Sequence, residues 1–282
     1  MSERQAVPAA DAGPASRNLM MRIAAAAVLV PLAIATAYVG GGLWTALVTL
    51  AVIGLYLEWL SVAGCARETR VAAAGVIALA LIGISLALAR PDAALLAWVV
   101  GLAAVVLLSP QRRNWTAGGF FYASAAQVAA VLVRVDPVMG FDALMFVLLV
   151  VWATDIGGYF AGRGIGGAKL WPQVSPNKTW AGAIGGFVAS LVVAAGFAAL
   201  GQGRILPLLN MAAVLSVAGQ LGDLFESAVK RRFQVKDSSH IIPGHGGLMD
   251  RLDSLVAAIV LAAVLGLLRY GVDGVGRGLM VW

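Results

Sequence analysis

The feature that most constrains this chain is a run of apolar stretches, each close to the length needed to cross a bilayer. A hydrocarbon core is about 30 Å thick, and a helix rising about 1.5 Å per residue needs about 20 mostly apolar residues to span it. Nine stretches approach or meet that length: 20–39, 43–62, 71–89, 93–108, 117–133, 142–161, 180–200, 207–225 and 252–270. Over the 282 residues, 61% are hydrophobic and only 12% are charged, against about 25% charged in an ordinary soluble domain. No soluble core of this size hides so much apolar surface. Disorder is excluded by the hydrophobicity, and a collagen-like chain by the lack of a strict glycine period. The expected fold is all-α, a polytopic integral membrane protein with about nine transmembrane helices.

Basic residues set the orientation of such a chain, because cytoplasmic loops retain Lys and Arg. With the N-terminus in the cytoplasm and nine alternating spans, 15 of the 20 Lys and Arg residues fall inside, and only Arg90, Arg134, Arg204, Arg269 and Arg277 fall outside. The expected topology is N-terminus cytoplasmic and C-terminus outside. Residues 1–19 read as a flexible cytoplasmic tail, 20–140 as about five N-terminal spans, and 141–282 as about four spans with cytoplasmic loops at 162–179 and 226–250. Ala35-Thr36-Ala37 resembles a small-residue cleavage site, but the preceding apolar stretch is long for a signal peptide, so a retained first helix is expected.

The single cysteine, Cys65, excludes internal disulfides and thiolate metal clusters, and two histidines make a poor basis for zinc. A metal here would be held by oxygen, which points to a hard cation such as Mg²⁺. The net charge of +6 reflects the orientation signal and an affinity for anionic lipid. It gives no reason to expect a nucleic-acid partner.

The remaining charges are unevenly placed. Between Asp223 and Asp253, ten of 31 residues are charged, five of them carboxylates. A topology signal needs a few Lys or Arg, and has no use for the carboxylates. Asp223, Glu226, Ser227 and Lys230 are spaced to share one helical face, and Asp250 and Asp253 share another at the start of the last span. His245-Gly246-Gly247 leads into that helix start, where glycines and a helix N-terminus favour an anion. Simpler readings exist for each part: Asp250 as a helix cap, Asp223 with Lys230 as an interface ion pair, Lys230-Arg231-Arg232 as orientation signal. Together the parts describe a metal-and-phosphate site at one membrane boundary. A second constellation precedes it. Asp155 sits inside an apolar span, where a charge is costly unless it faces a polar cavity. Arg163, Lys169, Ser175 and Lys178 follow on the same side, and the Lys and Arg among them could hold phosphate oxygens. Ser175, Asn177 and Thr179 could equally be helix caps. The glycines of residues 181–186 are expected to let helices approach closely.

Residues 227–253 carry Ser227, Lys230-Arg231, Lys236-Asp237, His245-Gly246-Gly247 and Asp250-Arg251-Leu252-Asp253. This spacing resembles the signature of the phosphatidate cytidylyltransferase (CDP-diacylglycerol synthase) family. Asp155, Gly162-Arg163 and Ser175-Pro176-Asn177-Lys178-Thr179 are similar to the same family, with one departure: Ala181 stands where an acidic residue is expected. The resemblance covers about a hundred residues of the C-terminal half.

It implies transfer of a cytidylyl group from CTP to phosphatidic acid, giving CDP-diacylglycerol and pyrophosphate. It implies Mg²⁺ as cofactor, leaves open a second, monovalent cation, and implies a homodimer in a bacterial inner membrane with the site facing the cytoplasm. On this reading Asp223 and Asp250 are the metal ligands, with Asp253 in support. Lys230, Arg231, Lys236 and Arg251 would bind phosphates, His245-Gly246-Gly247 would supply backbone donors, and Arg163, Ser175 and Lys178 would form a further anion clamp. The alternatives are a CTP-dependent kinase of a polyprenol or phytol, and an ion-coupled transporter using Asp155 and Asp223.

Overall fold

A computed structural model of the chain describes residues 14–109, 111–239 and 246–282. Its long helices are α1 (Pro14–Val39), α2 (Gly41–Val62), α3 (Thr69–Ala87), α4 (Pro91–Leu108), α5 (Arg113–Val135), α6 (Gly140–Ile165), α7 (Trp180–Ala199), α8 (Ile205–Arg232) and α9 (Met249–Tyr270). A hairpin of β1 (Lys169–Trp171) and β2 (Ser175–Thr179) joins α6 to α7, and a 3₁₀ turn leads into the short α10 (Val275–Met280). Each expected apolar stretch lies on one of the nine long helices, within a residue or two. Among the described residues, α2 through α9 are long and apolar enough to cross a membrane. The molecule is an all-α polytopic membrane protein.

Three boundaries differ from the sequence expectation. Helix α1 begins at Pro14, six residues earlier than expected, with proline in the first turn where its missing N–H costs nothing. Helix α8 runs on to Arg232, so Lys230, Arg231 and Arg232 form its last turn rather than a loop. Polarity does not end a helix: cations there complement the helix dipole, and Lys230 pairs with Glu226 four residues back. Helix α6 likewise continues to Ile165, and much of the loop expected at 162–179 is the antiparallel hairpin, with Lys169 opposite Thr179 and Trp171 opposite Ser175.

Outward-facing leucines such as Leu107, Leu200 and Leu268 are exposed, as suits a surface solvated by lipid. Inside, Tyr56, Phe120 and Phe146 are fully buried, with Tyr56 meeting Phe120 edge-on at 6.1 Å between ring centres. The closest-packed helices are α6 and α7. Lipid tails are as apolar as leucine, so helices in a bilayer associate through close van der Waals approach at small residues. A Cβ on Gly182 would stand 2.9 Å from the Gly158 carbonyl oxygen, and one on Gly157 would stand 2.6 Å from the Ala189 methyl. Gly182 belongs to the glycines expected to pack closely, and Gly157 and Gly158 of α6 complete the seam from the other side.

At the opposite end of α6, Asp136 ties the turn between α5 and α6 to the C-terminal segment. One of its oxygens accepts from the Arg277 backbone N–H at 2.7 Å and from Arg277 Nε at 3.1 Å. The other accepts from Val138 N–H at 2.9 Å. Burial works to raise this carboxyl's pKa, and the hydrogen bonds led by Arg277 outweigh it, holding Asp136 below the usual aspartate range.

Candidate active site

Four helix ends and the hairpin close around one cavity of about 710 Å³. The C-terminal half of α6 contributes Asp155, Tyr159 and Arg163, and the hairpin contributes Asn177 and Lys178. Helix α7 brings Gly182 and Ala183, α8 brings Gln220 and Asp223, and α9 brings Asp250, Arg251, Asp253 and Ser254. The two polar constellations of the sequence, some 70 residues apart, therefore share one wall. Asp155 does face a polar cavity, as its cost inside an apolar span requires. The wall passes through Gly182 and Ala183 rather than Ala181.

Each carboxylate has its own setting. Lys178 Nζ forms an ion pair with Asp223, and the Ser227 hydroxyl stands 3.4 Å from the other oxygen of Asp223. Asp155 lies in the field of both Asp223 and Lys178, with the Ser254 hydroxyl 3.4 Å away. Asp253 accepts from the Ser254 N–H at 2.7 Å and sits close to Asp223 and Glu226.

Asp250 is the most heavily engaged. Its Oδ1 is 2.6 Å from Lys230 Nζ. Its Oδ2 accepts from the backbone N–H groups of Ser238 and Gly247, both at 3.1 Å, and faces the Ser238 hydroxyl at 3.0 Å. The N-cap position of α9 falls to Leu248, so Asp250 is not the cap that the simpler reading made it: it lies in the first turn, accepts from the Gly247 N–H just before the helix, and lines the cavity. Lys230 also pairs with the fully buried Glu226 at 3.2 Å. It therefore bridges two carboxylates behind the cavity, and its partners are Glu226 and Asp250 rather than Asp223.

The other expected site residues have different places. Arg163 lies on the wall, exposed, with Nη1 3.4 Å from the Tyr159 hydroxyl. Ser175 pairs with Trp171 in the hairpin and is not on the wall. Thr179 caps α7, its hydroxyl accepting from the Gly182 N–H at 3.0 Å. Arg231 is exposed and reaches the carbonyls of Val174 and Val235, each at 3.4 Å. Lys236 is exposed and away from the wall. Gly246 adopts φ +83°, a left-handed conformation that suits glycine. Gly247 gives its N–H to Asp250 rather than to the cavity, and a Cβ on it would overlap the Ser238 hydroxyl and stand 2.6 Å from Glu58 Oε2. Its role in this structure is to leave room. His245 lies outside the described residues.

Sequence reasoning missed Glu58. This carboxylate on α2 is buried, yet it accepts from Ser238 and Ser239 hydroxyls at 2.8 and 2.6 Å and from the Leu248 and Met249 N–H groups, both at 2.8 Å. The available signal was the one that singled out Asp155: a lone charge in an apolar span demands partners. Those partners lie 180 and more residues away, which no local pattern shows.

The donor set suits a hard divalent ion, being all carboxylate oxygen with no cysteine on the wall. Among the described residues, no three His, Cys, Asp or Glu side chains gather around one point; Lys178 and Lys230 each occupy one aspartate. Mg²⁺ commonly takes only one or two protein carboxylates and completes its shell with water and substrate phosphates, so Asp223 and Asp250 fit that manner of binding.

The chain is similar to known proteins over most of its length. Residues 20–268 match the model of the Cytidylyltransferase family. A phosphatidate cytidylyltransferase of Brucella suis biovar 1 (strain 1330) is 40% identical over 255 residues, covering 88% of this chain and 93% of that protein. The phosphatidate cytidylyltransferase of Bacillus subtilis (strain 168) is 50% identical over 119 residues, 42% of this chain and 44% of the other. That of Haemophilus influenzae (strain ATCC 51907 / DSM 11121 / KW20 / Rd) is 48% identical over 130 residues, 44% of this chain and 45% of the other. The first match extends the likeness from the polar C-terminal region to almost the whole membrane domain, and on these matches the chain belongs to the Cytidylyltransferase family.

Proposed function

We propose that the protein transfers the cytidylyl group of CTP to phosphatidic acid, releasing pyrophosphate and leaving CDP-diacylglycerol in the membrane. The observation that carries this reading is the single cavity in which Asp155, Asp223, Asp250 and Asp253 alternate with Arg163, Lys178 and Arg251. An oxygen of the lipid phosphate bonds to the α-phosphorus of CTP, and the bond from that phosphorus to the β-phosphate oxygen breaks. The attacking oxygen is already ionised near neutral pH, so no general base is needed. Both reactants are anions, and the enzyme's work is to neutralise charge and align them.

The side chains divide that work. Arg163, Lys178 and Arg251 meet phosphate oxygens, Arg163 and Arg251 through forked donors suited to two oxygens at once. Lys230 acts one step back, holding Asp250 in place while compensating Glu226. Asp223 and Asp250, supported by Asp253, would hold Mg²⁺, which when bound supplies charge neutralisation on the phosphates. A divalent ion between these carboxylates would offset the charge of two phosphate-bearing substrates. The distribution of basic residues supports an opening on the cytoplasmic side, where CTP is found and where the lipid headgroup is reached while its tails stay in the bilayer.

The test is purified protein with phosphatidic acid, labelled CTP and Mg²⁺. Lipid-linked CMP and pyrophosphate are expected; release of CDP with a phosphorylated lipid would assign a kinase instead. Asp223→Asn and Asp250→Asn should each cut the rate at least a hundredfold while the protein still purifies as a folded species. Full activity in either variant would remove that aspartate from the site.

A further inference from the structure

We infer that Glu58, in the N-terminal half, is a positioning residue that holds Asp250 and the start of α9 in working geometry. The inference rests on the reaction proposed above, but its basis is the hydrogen-bond network. Two of the four groups Glu58 accepts from, the Leu248 and Met249 N–H groups, are free donors at the first turn of α9. No residue of α9 caps that turn with its side chain from the N-cap position, which Leu248 occupies. A carboxylate from another helix does so instead, and an anion at a helix N-terminus is stabilising.

The other two donors, Ser238 and Ser239, fix the far end of the segment that precedes α9. Glu58 therefore clamps both ends of the stretch from 238 to 249. The clamp is tied to Asp250 through one hydroxyl: Ser238 Oγ is 2.8 Å from Glu58 Oε2 and 3.0 Å from Asp250 Oδ2. That hydroxyl has one proton for two carboxylates, so a change at Glu58 alters how Ser238 serves Asp250. Gly247 is crowded against both Ser238 and Glu58, which leaves the arrangement no slack. The aromatic stack of Trp59 on Phe225, 6.2 Å between ring centres, pins α2 to α8 beside it. Nothing about Glu58 touches the cavity wall, so its effect on the reaction passes through Asp250 and the α9 start.

Glu58→Gln keeps the shape but offers the four donors one acceptor oxygen and an amide N–H₂ that repels them. The experiment measures two things on wild type and variant in detergent. Hydrogen exchange followed by mass spectrometry is expected to speed up at least tenfold over residues 246–252 and to stay unchanged in α3 and α4. Steady-state kinetics are expected to show the half-saturating CTP concentration raised several-fold, together with a lower kcat. A purely structural role would lower the amount of active enzyme and leave half-saturation by CTP unchanged; that result, or unaltered exchange at the α9 start, would overturn the inference. If Glu58→Gln does not fold, Ser239→Ala, which removes one of the four donors, carries the test and is expected to shift both readouts two- to three-fold. If wild type makes no CDP-diacylglycerol, the proposed reaction fails, and the exchange measurement decides the clamp on its own.

Discussion

Gly247→Ala is the sharpest probe of how the site is built. The added methyl would overlap the Ser238 hydroxyl, stand 2.6 Å from Glu58 Oε2 and 3.0 Å from the Ser239 nitrogen. None of these neighbours is a flexible chain end free to swing away: Ser238 bonds Glu58 and Asp250, and Glu58 is buried with four donors on it. Overpacking a filled interior costs about 1–3 kcal/mol. Losing one hydrogen bond of a buried charged group adds about 1–3 kcal/mol. Displacement of Ser238 is the least expensive relief, and it moves Asp250. If about 2–3 kcal/mol is then missing from the transition state, kcat/KM falls about 30- to 150-fold. The assay is CDP-diacylglycerol formation at several CTP concentrations, alongside a thermal melt. Gly42→Ala serves as control, because nothing lies within 4 Å of a Cβ there. If Gly247 served only by donating its backbone N–H to a substrate, alanine would keep that donor and activity would survive. A Gly247→Ala enzyme with wild-type melting and wild-type kcat/KM would refute the packing argument.

Two further predictions concern stability. Lys230→Met strips the cation from between Glu226 and Asp250, and breaking a buried pair of this kind costs about 3–5 kcal/mol; a matching fall in the unfolding free energy is expected, whereas Arg231→Ala, exposed one residue on, should change it by less than about 1 kcal/mol. Asp136 has its pKa depressed in the folded protein, so its contribution is fully present above the unfolded value near 3.9 and is lost as pH falls through the lower folded value. The melting-temperature gap between wild type and Asp136→Asn should therefore be constant from pH 7 to about 5 and shrink below about 4. A gap that widens on acidification would mean that the hydrogen bonds from Arg277 do not set this carboxyl.

The sequence determined the architecture, because a bilayer leaves a chain few choices. Backbone groups in lipid must be satisfied within the helix, so long apolar stretches can be read as helices, and the nine expected stretches fall on α1 to α9, although α1, α6 and α8 extend past them into polar sequence. It also singled out polar side chains that had to be accommodated somewhere: Asp155, Lys178, Asp223, Asp250 and Asp253 all line one cavity, whereas Ser175, Arg231 and Lys236 do not. Helical spacing placed Ser227 beside Asp223 and Lys230 beside Glu226, as local geometry allows.

Only the tertiary structure decided the pairings. Lys230 had Glu226 one turn back on its own helix, yet its shortest contact is Asp250, 20 residues on. Lys178 crosses from the hairpin to Asp223 on α8. Gly247 has no room for a Cβ between Ser238 and Glu58, and its N–H is given to Asp250. Glu58, a single carboxylate in an otherwise ordinary span, turns out to cap α9 from across the molecule. Periodicity specifies which face a residue occupies on its own helix, since that is set by neighbours three and four positions away. Which other helix meets that face is set by the packing of small residues and by the need of every buried charge for partners. That need is visible in the sequence as a cost, and the fold alone shows where it is met.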